Sequence, residues 1–321
     1  MWTINAPQFR SRVAELQTGT TRRRISRKNL AGIDLPVPPL NEQRRIVAAI
    51  EEQLSRLDAA DASLAAANRR LAGLRHNIAD TVVRLEGATA LVGDVAEVQG
   101  GIQKQPKRRP VKNRYPFLRV ANVLRGRLEL TDVHEIELFN GELERLALHA
   151  GDLLVVEGNG SAAQIGRSAL WHGEIDPCVH QNHLIRVRPG EMLVPRYLDL
   201  YWNAPKTASR VTALASSTSG LYTLSASKVR NVEIVVPPLE EQKRIVAEVE
   251  ERLSVIDAMR ASIERAERRS AALRRSILER AFRGELVPQD PSDEPASVLL
   301  DRIRATRAAA EPTVRRQRAR R

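Results

Sequence analysis

The residues best placed to do chemistry lie in one short run. Lys104 to Arg114 reads KQPKRRPVKNR, with six basic residues, two prolines and no acid, and Tyr115 and Phe117 follow at once. Cations on such a loop suit contact with phosphates, while Arg, Gln and Asn side chains can hydrogen-bond to guanine or adenine edges in a major groove. Candidate DNA contacts from this run and its entry are therefore Gln103, Lys104, Lys107, Arg108, Arg109, Lys112, Asn113 and Arg114. The competing reading is a merely solvated basic surface. A second polar stretch, EGNGSAAQIGRSALWHG from Glu157 to Gly173, adds Asn159, Ser161, Gln164 and Arg167, and Gln181, Asn182 and Tyr222 complete the set.

Three other chemistries fit poorly. Gly158, Gly160 and Ala163 stand in G-x-G-x-x-A spacing, but Gly166 and the apolar run Ser168 to Trp171 break the helix that a phosphate cradle needs there. Cys178, His180 and His183, with His172 nearby, match no common zinc spacing and read as hydrogen-bonding groups. There is no G-x-x-x-x-G-K-[ST] phosphate loop, and no Asn-Pro-Pro-aromatic turn of the kind that amino-methyltransferases use. No catalytic residue, metal or cofactor is expected. The chain reads as one that binds.

Charge and composition agree with an anionic polymer as partner. The 321 residues carry a net +12, placed as +5 on residues 1–39, +3 on 87–236 and +3 on the tail from Leu286, while 40–86 is neutral. Aromatic residues are only 3%, which predicts a core mostly of Leu, Val, Ile and Ala. Cys178 is the sole cysteine, so no intrachain disulfide can form and a reducing cytoplasm is expected. Residues 1–20 lack the basic start and apolar centre of a signal peptide, and no apolar run reaches about 18 residues, so no membrane partner is expected.

What must position the loop is a unit used twice. Residues 38–59 and 237–258, PPLNEQRRIVAAIEEQLSRLDA and PPLEEQKRIVAEVEERLSVIDA, share 15 of 22 positions at an offset of 199. The likeness continues upstream, since NAP and SRV at Asn5 to Val13 recur at Asn203 to Val211. Residues 1–37 thus read as the end of a domain whose complete version is 88–236. From Asn41 to Leu85 apolar residues recur every seven, at Ile50, Leu57, Leu64, Leu71, Ile78 and Leu85, and the second copy answers with Val249, Ile256, Ile263, Ser270 and Ile277. Polar residues interrupt each stripe four positions on, at Asp61, Asn68 and Arg75 and at Arg260, Glu267 and Arg274. Such stripes are too narrow to prefer an identical partner, so the two helices should pack on each other. As a helix the first segment would run about 68 Å at ~1.5 Å per residue, a spacer rather than a surface helix.

Between the helices, LLVVE (Leu153 to Glu157), HLIRVRP (His183 to Pro189) and VEIVVPP (Val232 to Pro238) read as strands, and Tyr197 to Leu214 as helix. The fold class is α+β. Five segments follow: a remnant 1–37, a first helix 38–87, a complete mixed α/β domain 88–236, a second helix 237–285 and a basic tail 286–321.

Several stretches taken together resemble the DNA specificity (S) subunit of type I restriction-modification systems. They are the junctions Val37 to Gln43 and Val236 to Gln242, each followed by IVA, then LVGDVAEVQGG (Leu91 to Gly101), AGDLLVVEGNG (Ala150 to Gly160) and AFRGELVPQDPSDEPASVLLDRI (Ala281 to Ile303). The resemblance implies target recognition domains that each read half of a split site in double-stranded DNA. It also implies two helices paired as an antiparallel coiled coil that docks modification (methyltransferase) subunits, with a restriction subunit joining the assembly. Only the end of the first recognition domain is in this sequence. Two versions stay open: a C-terminal fragment of a normal subunit, or a short subunit that self-associates and reads an inverted repeat. Outside that family, the recognition part of a type IIG-like methyltransferase would need the missing Asn-Pro-Pro-aromatic turn, and a coiled-coil scaffold would bind DNA with no steep salt dependence.

Overall fold

A computed structural model describes residues 7–19, 22–85, 87–159, 161, 164–218 and 221–318. The chain forms two compact units, residues 1–69 with 260–321, and residues 70–259.

In the first unit, helix α1 (Pro7–Glu15) leads to a bridge between Thr18 and Arg24 and then to helix α2 (Arg27–Ala31), whose first turn is capped by the Ser26 hydroxyl accepting from the Asn29 N–H at 3.0 Å. The double proline Pro38–Pro39 cannot continue a strand ladder and starts helix α3 (Leu40–Thr81). The second long helix, α9 (Leu239–Phe282), begins after Pro237–Pro238 in the same way, and α10 (Ala296–Arg318) follows it. At ~1.5 Å per residue α3 is about 63 Å long. Helix α3 stops at Thr81, however, so Leu85 lies beyond it. The β-branched run Thr81-Val82-Val83 turns there because Val82 is drawn wholly into the core of the second unit.

The seven-residue stripe of the second helix is buried at every step, Val249, Ile256, Ile263, Ser270 and Ile277, while in the first Ile50 and Leu71 are buried and Leu57, Leu64 and Ile78 half-buried. The polar interruptions meet across the seam. Within the first unit Arg274 donates to Asp58 at 2.6 Å and Asp61 at 2.7 Å, and Ile46 to Ile50 lie across a cavity from Leu278 to Phe282, so the helices run antiparallel. Within the second, Arg75 pairs with Asp257 at 2.5 Å. These exposed pairs are screened by solvent, so they fix register rather than drive association.

The second unit carries the sheets. Strands β1 (Thr89–Leu91) and β2 (Ala96–Gly100) flank the short α4 (Val92–Val95), then come β3 (Arg114–Leu118), β4 (Val123–Leu124), β5 (Arg127–Leu128), β6 (His134–Glu137) and α5 (Glu142–Leu146). After them run β7 (Leu153–Val156), β8 (Gly158–Asn159), β9 (Ser168–Leu170), β10 (Val179–His180) and β11 (Leu184–Pro189). Helices α6 (Pro195–Asn203) and α7 (Pro205–Leu214) precede β12 (Ser216–Thr218), β13 (Leu221–Thr223), α8 (Ala226–Arg230) and β14 (Glu233–Val235). The expected helix from Tyr197 to Leu214 is thus two helices, broken where Pro205 removes a donor and bars Ala204 from helical backbone.

A four-stranded antiparallel sheet in the order β2-β11-β7-β9 is the centre, and every residue of β7 is buried, which explains the unbroken apolar run LLVV. One face packs Tyr197, Tyr201 and Trp202 of α6 with Ile234, Ile245 and Val249, and the other face packs Trp171, Leu118 and Cys178. The few aromatic residues of this chain are concentrated here, within a core that is otherwise aliphatic. A parallel-antiparallel set, β10-β3-β6, closes a third cluster around Phe117 and Ile136.

Candidate nucleic-acid interface

The basic loop leaves the central sheet at β2. Gly101 passes so close to the β10 strand that a Cβ there would sit 2.2 Å from the His180 carbonyl oxygen, so only glycine fits. Ile102 then donates to His180 O at 2.8 Å and accepts from the Asn182 N–H at 2.9 Å, which sets Gln103 and Lys104 beside Gln181 and Asn182. The next residue, His183, accepts from the Glu157 N–H at 2.9 Å and adjoins Gly158. In the β8–β13 ladder Asn159 stands opposite Tyr222. Candidates 80 residues apart in sequence therefore follow one another along one path.

Two carboxylates hold the loop from behind. Arg108 makes a two-pronged bond to Glu142 at 2.7 and 2.8 Å and lies 4.9 Å over the Phe139 ring, both members of the ion pair being largely buried. The Arg108 guanidinium, helped by the Phe139 N–H, holds the Glu142 carboxyl down at about 2. Glu137 accepts from the backbone N–H groups of Asn113 at 2.9 Å, Val111 at 2.7 Å and Lys112 at 3.0 Å, and those bonds keep its carboxyl below the ordinary range. Arg114 pairs with Glu135, and the Asn113 amide reaches the Leu138 carbonyl at 3.5 Å. The remaining cations, Lys104, Lys107, Arg109 and Lys112, are exposed and form no ion pair among the described residues.

Two of the expected DNA contacts are turned away from the surface. Arg108 faces inward as an anchor rather than outward. Arg167 is buried, its Nε donating to Val123 O at 2.6 Å, one Nη to Val120 O at 2.9 Å and the other to Gln164 Oε1 at 2.7 Å, so it ties down the polypeptide before β4 and orients Gln164. Ser161 is exposed, the side chain of Asn159 lies outside the described residues, and so do Gly160 and Ala163 of the glycine-rich run. A cation not expected from the sequence stands close by. Arg125, at the β4–β5 turn, has its pKa lowered by partial desolvation and by the charge of Arg167, with no acid as partner among the described residues. Its only sequence signal is the turn-forming Arg-Gly-Arg triplet.

Cys178 and His180 are built into the core. Burial pushes the thiol up to about 12 and the imidazole down to about 4, the latter with help from Arg186, so the thiol is protonated and the ring neutral near pH 7. Among the described residues no group of three or more His, Cys, Asp or Glu side chains could hold a metal ion.

Residues 89–269, which span the whole sheet-bearing domain and much of α9, match the family model for the type I restriction modification DNA specificity domain. The chain belongs to this family. It is 27% identical over 330 residues to the type I restriction enzyme EcoKI specificity subunit of Escherichia coli (strain K12) and 26% identical over 323 residues to the StySPI specificity subunit of Salmonella potsdam. Each alignment covers 94% of this chain and 70% of the relative. In fold it is similar to a chain of a solved type I R-M system (TM-score 0.66, 22% identity, 83% of this chain and 65% of that one). The HsdS subunit from Thermoanaerobacter tengcongensis shares the fold at a TM-score of 0.57, with 22% identity and coverage of 88% and 69%. The chain thus spans about two thirds of the length of these proteins. As a family member it serves DNA sequence recognition in type I restriction-modification, and its two long helices and sheet-bearing domain are those of the HsdS fold.

Proposed function

We propose that this chain reads one DNA half-site through its sheet-bearing domain and carries modification and restriction subunits to double-stranded DNA, without itself catalysing any step. The observation that carries the reading is the loop from Gln103 to Lys112. It is fixed from behind by Glu137 and Glu142 and presents four exposed cations that form no salt bridge among the described residues. Lysines and Arg109 would meet phosphates, and Gln103, Gln181, Asn182, Gln164 and Tyr222 along the same path would read base edges. The seam of α3 and α9 leaves charged outer faces, such as Glu51 with Glu52 and Glu250 with Glu251, suited to polar contact with modification subunits. A cytoplasmic location fits a DNA-directed chain with a single, buried cysteine. No helix among the described residues is long and apolar enough to cross a membrane.

The test is duplex-DNA affinity of the assembled complex as a function of salt. Replacing Lys107, Arg109 and Lys112 with alanine should flatten the slope of log affinity against log salt by about 0.9 for each phosphate no longer neutralised. An unchanged slope and affinity would make the loop a solvated surface. Incubating the chain alone with labelled S-adenosylmethionine and DNA should give no methyl transfer, and turnover above background would overturn the non-catalytic reading.

A further inference from the structure

The path of candidate DNA contacts holds one acid. Segments 101–114, 157–167, 181–183 and 221–223 supply its cations, amides and hydroxyls, and Glu157 is the only Asp or Glu in them. It stands in the middle of the path. The Glu157 N–H donates to His183 O at 2.9 Å and its carbonyl accepts from the Leu224 N–H at 2.7 Å, so its backbone is pinned on both sides, between the Gln181-Asn182-His183 turn and the strand of Tyr222. The two residues that follow it, Gly158 and Asn159, pair with Thr223 and Tyr222.

The carboxylate itself is half-buried, and among the described residues it forms no hydrogen bond and no ion pair. Partial burial raises its pKa, with the nearby His183 imidazole opposing the rise. Such a group weakens the fold, because its desolvation is not offset by a donor. The acids behind the basic loop are the contrast: Glu142 is saturated by Arg108 and the Phe139 N–H, and Glu137 by three backbone amides. Those two hold structure, and Glu157 does not. Beside DNA a carboxylate is repelled by phosphates unless a donor meets it. In the major groove the donors that a duplex presents are the exocyclic amino groups, N4 of cytosine and N6 of adenine.

We infer that Glu157 is a base-reading residue whose carboxylate accepts a hydrogen bond from an exocyclic amino group in the major groove. The inference rests on the DNA-reading role proposed above and sets the chemistry at one base pair. An amino group is required there, and the keto oxygen of thymine or guanine is rejected because two acceptors would face each other.

The probe is a library of duplexes with randomised positions, selected for binding to the assembled complex carrying wild-type chain, Glu157→Ala or Glu157→Gln. Glu157→Ala should release the preference at one base pair alone, and affinity for the duplex selected by wild type should fall about 10- to 100-fold while affinity for unrelated duplex holds or rises. At that pair, pyrimidin-2-one in place of cytosine, or purine in place of adenine, deletes the amino group. The substitution should weaken wild type about as much as Glu157→Ala does and weaken the alanine variant little further, and the analogue that acts tells cytosine from adenine. Glu157→Gln should melt no lower than wild type, since it removes an uncompensated charge. If wild type selects a sequence and both variants select the same one, DNA reading stands and Glu157 has no part in it. Loss of every preference at once, or a lower melting temperature for Glu157→Gln, would make the carboxylate a support of the fold and overturn the inference. A wild-type complex that selects nothing would overturn DNA reading itself, and the inference with it.

Discussion

The two copies of the repeated unit differ less in their own residues than in what surrounds them. Residues 26–40 and 225–239 make the same moves. A serine caps a five-residue helix, an extended stretch follows, and a double proline starts a long helix whose first glutamine folds back on the proline carbonyl. In the complete copy that stretch is β14, paired with β1, and Val229, Val232 and Ile234 are buried. In the remnant the same stretch pairs with nothing among the described residues, and Leu30, Leu35 and Val37 are exposed. Local sequence is therefore enough to set caps, turns and helix starts. Burial is a property of the neighbours. An aliphatic side chain at a given repeat position adds about 1.5–3 kcal/mol where it is buried and little where it is not.

The largest contrast should come from Ile234→Asp against Leu35→Asp. The first places an unpaired carboxylate in a closed core and should cost more than about 4 kcal/mol in urea unfolding, while the second should cost less than about 1 kcal/mol. Equal costs would erase the distinction between the copies. Next, Gln242→Ala strands three backbone groups, Met192 O, the Val194 N–H and Pro237 O, and should cost about 2–4 kcal/mol, whereas Gln43→Ala, with only its inner bond, should cost about 1 kcal/mol or less.

Acid should separate the copies further, because all six histidines lie between His76 and His183, in the unit that holds the complete copy. His180, facing Arg186, Arg188 and Asp152, has its pKa depressed to about 4 from 6.5. A depressed base binds its proton more readily when unfolded, so its contribution is full above pH 6.5 and declines steadily down to about pH 4. Hydrogen exchange should show the complete domain loosening from about pH 7 to about pH 5 while the remnant does not, and His180→Phe should remove most of that slope. Glu142 has the opposite chemistry. Its pKa, depressed to about 2, holds the loop clamp at full strength above pH 4.5 and yields only on falling through about pH 2, so the loop should outlast the core in acid. The smallest effect belongs to the seam. A double-mutant cycle of Asp61→Ala and Arg274→Ala should give a small favourable coupling that fades with added salt, as exposed pairs do.

How far the sequence carried depends on whether a feature is local. The seven-residue series Val249, Ile256, Ile263, Ser270 and Ile277 is read directly from spacing, and each member is buried where the spacing puts it. The strands LLVV and LIRVRP are equally legible, since an apolar run between turns has few other uses. The end of α3 is not, because Val82 leaves the helix for a core whose other members run from Val92 to Val249. Nor can spacing say that Arg108 and Arg167 face inward. Arginine at a loop reads as free until Glu142, 34 residues on, or the Val120 and Val123 carbonyls are known to lie beneath it. The path that joins Gln103, Gln181 and Asn159 is likewise tertiary.

The grip of Glu137 on three successive amides has an evolutionary corollary. Because the loop is held by its backbone and by the inward Arg108, the outward side chains at 103, 104, 107, 109 and 112 are left out of its support. Residues at those positions can change identity with almost no penalty to folding. On the proposed reading of this loop, a new target could be acquired by surface substitution without disturbing how the loop is held.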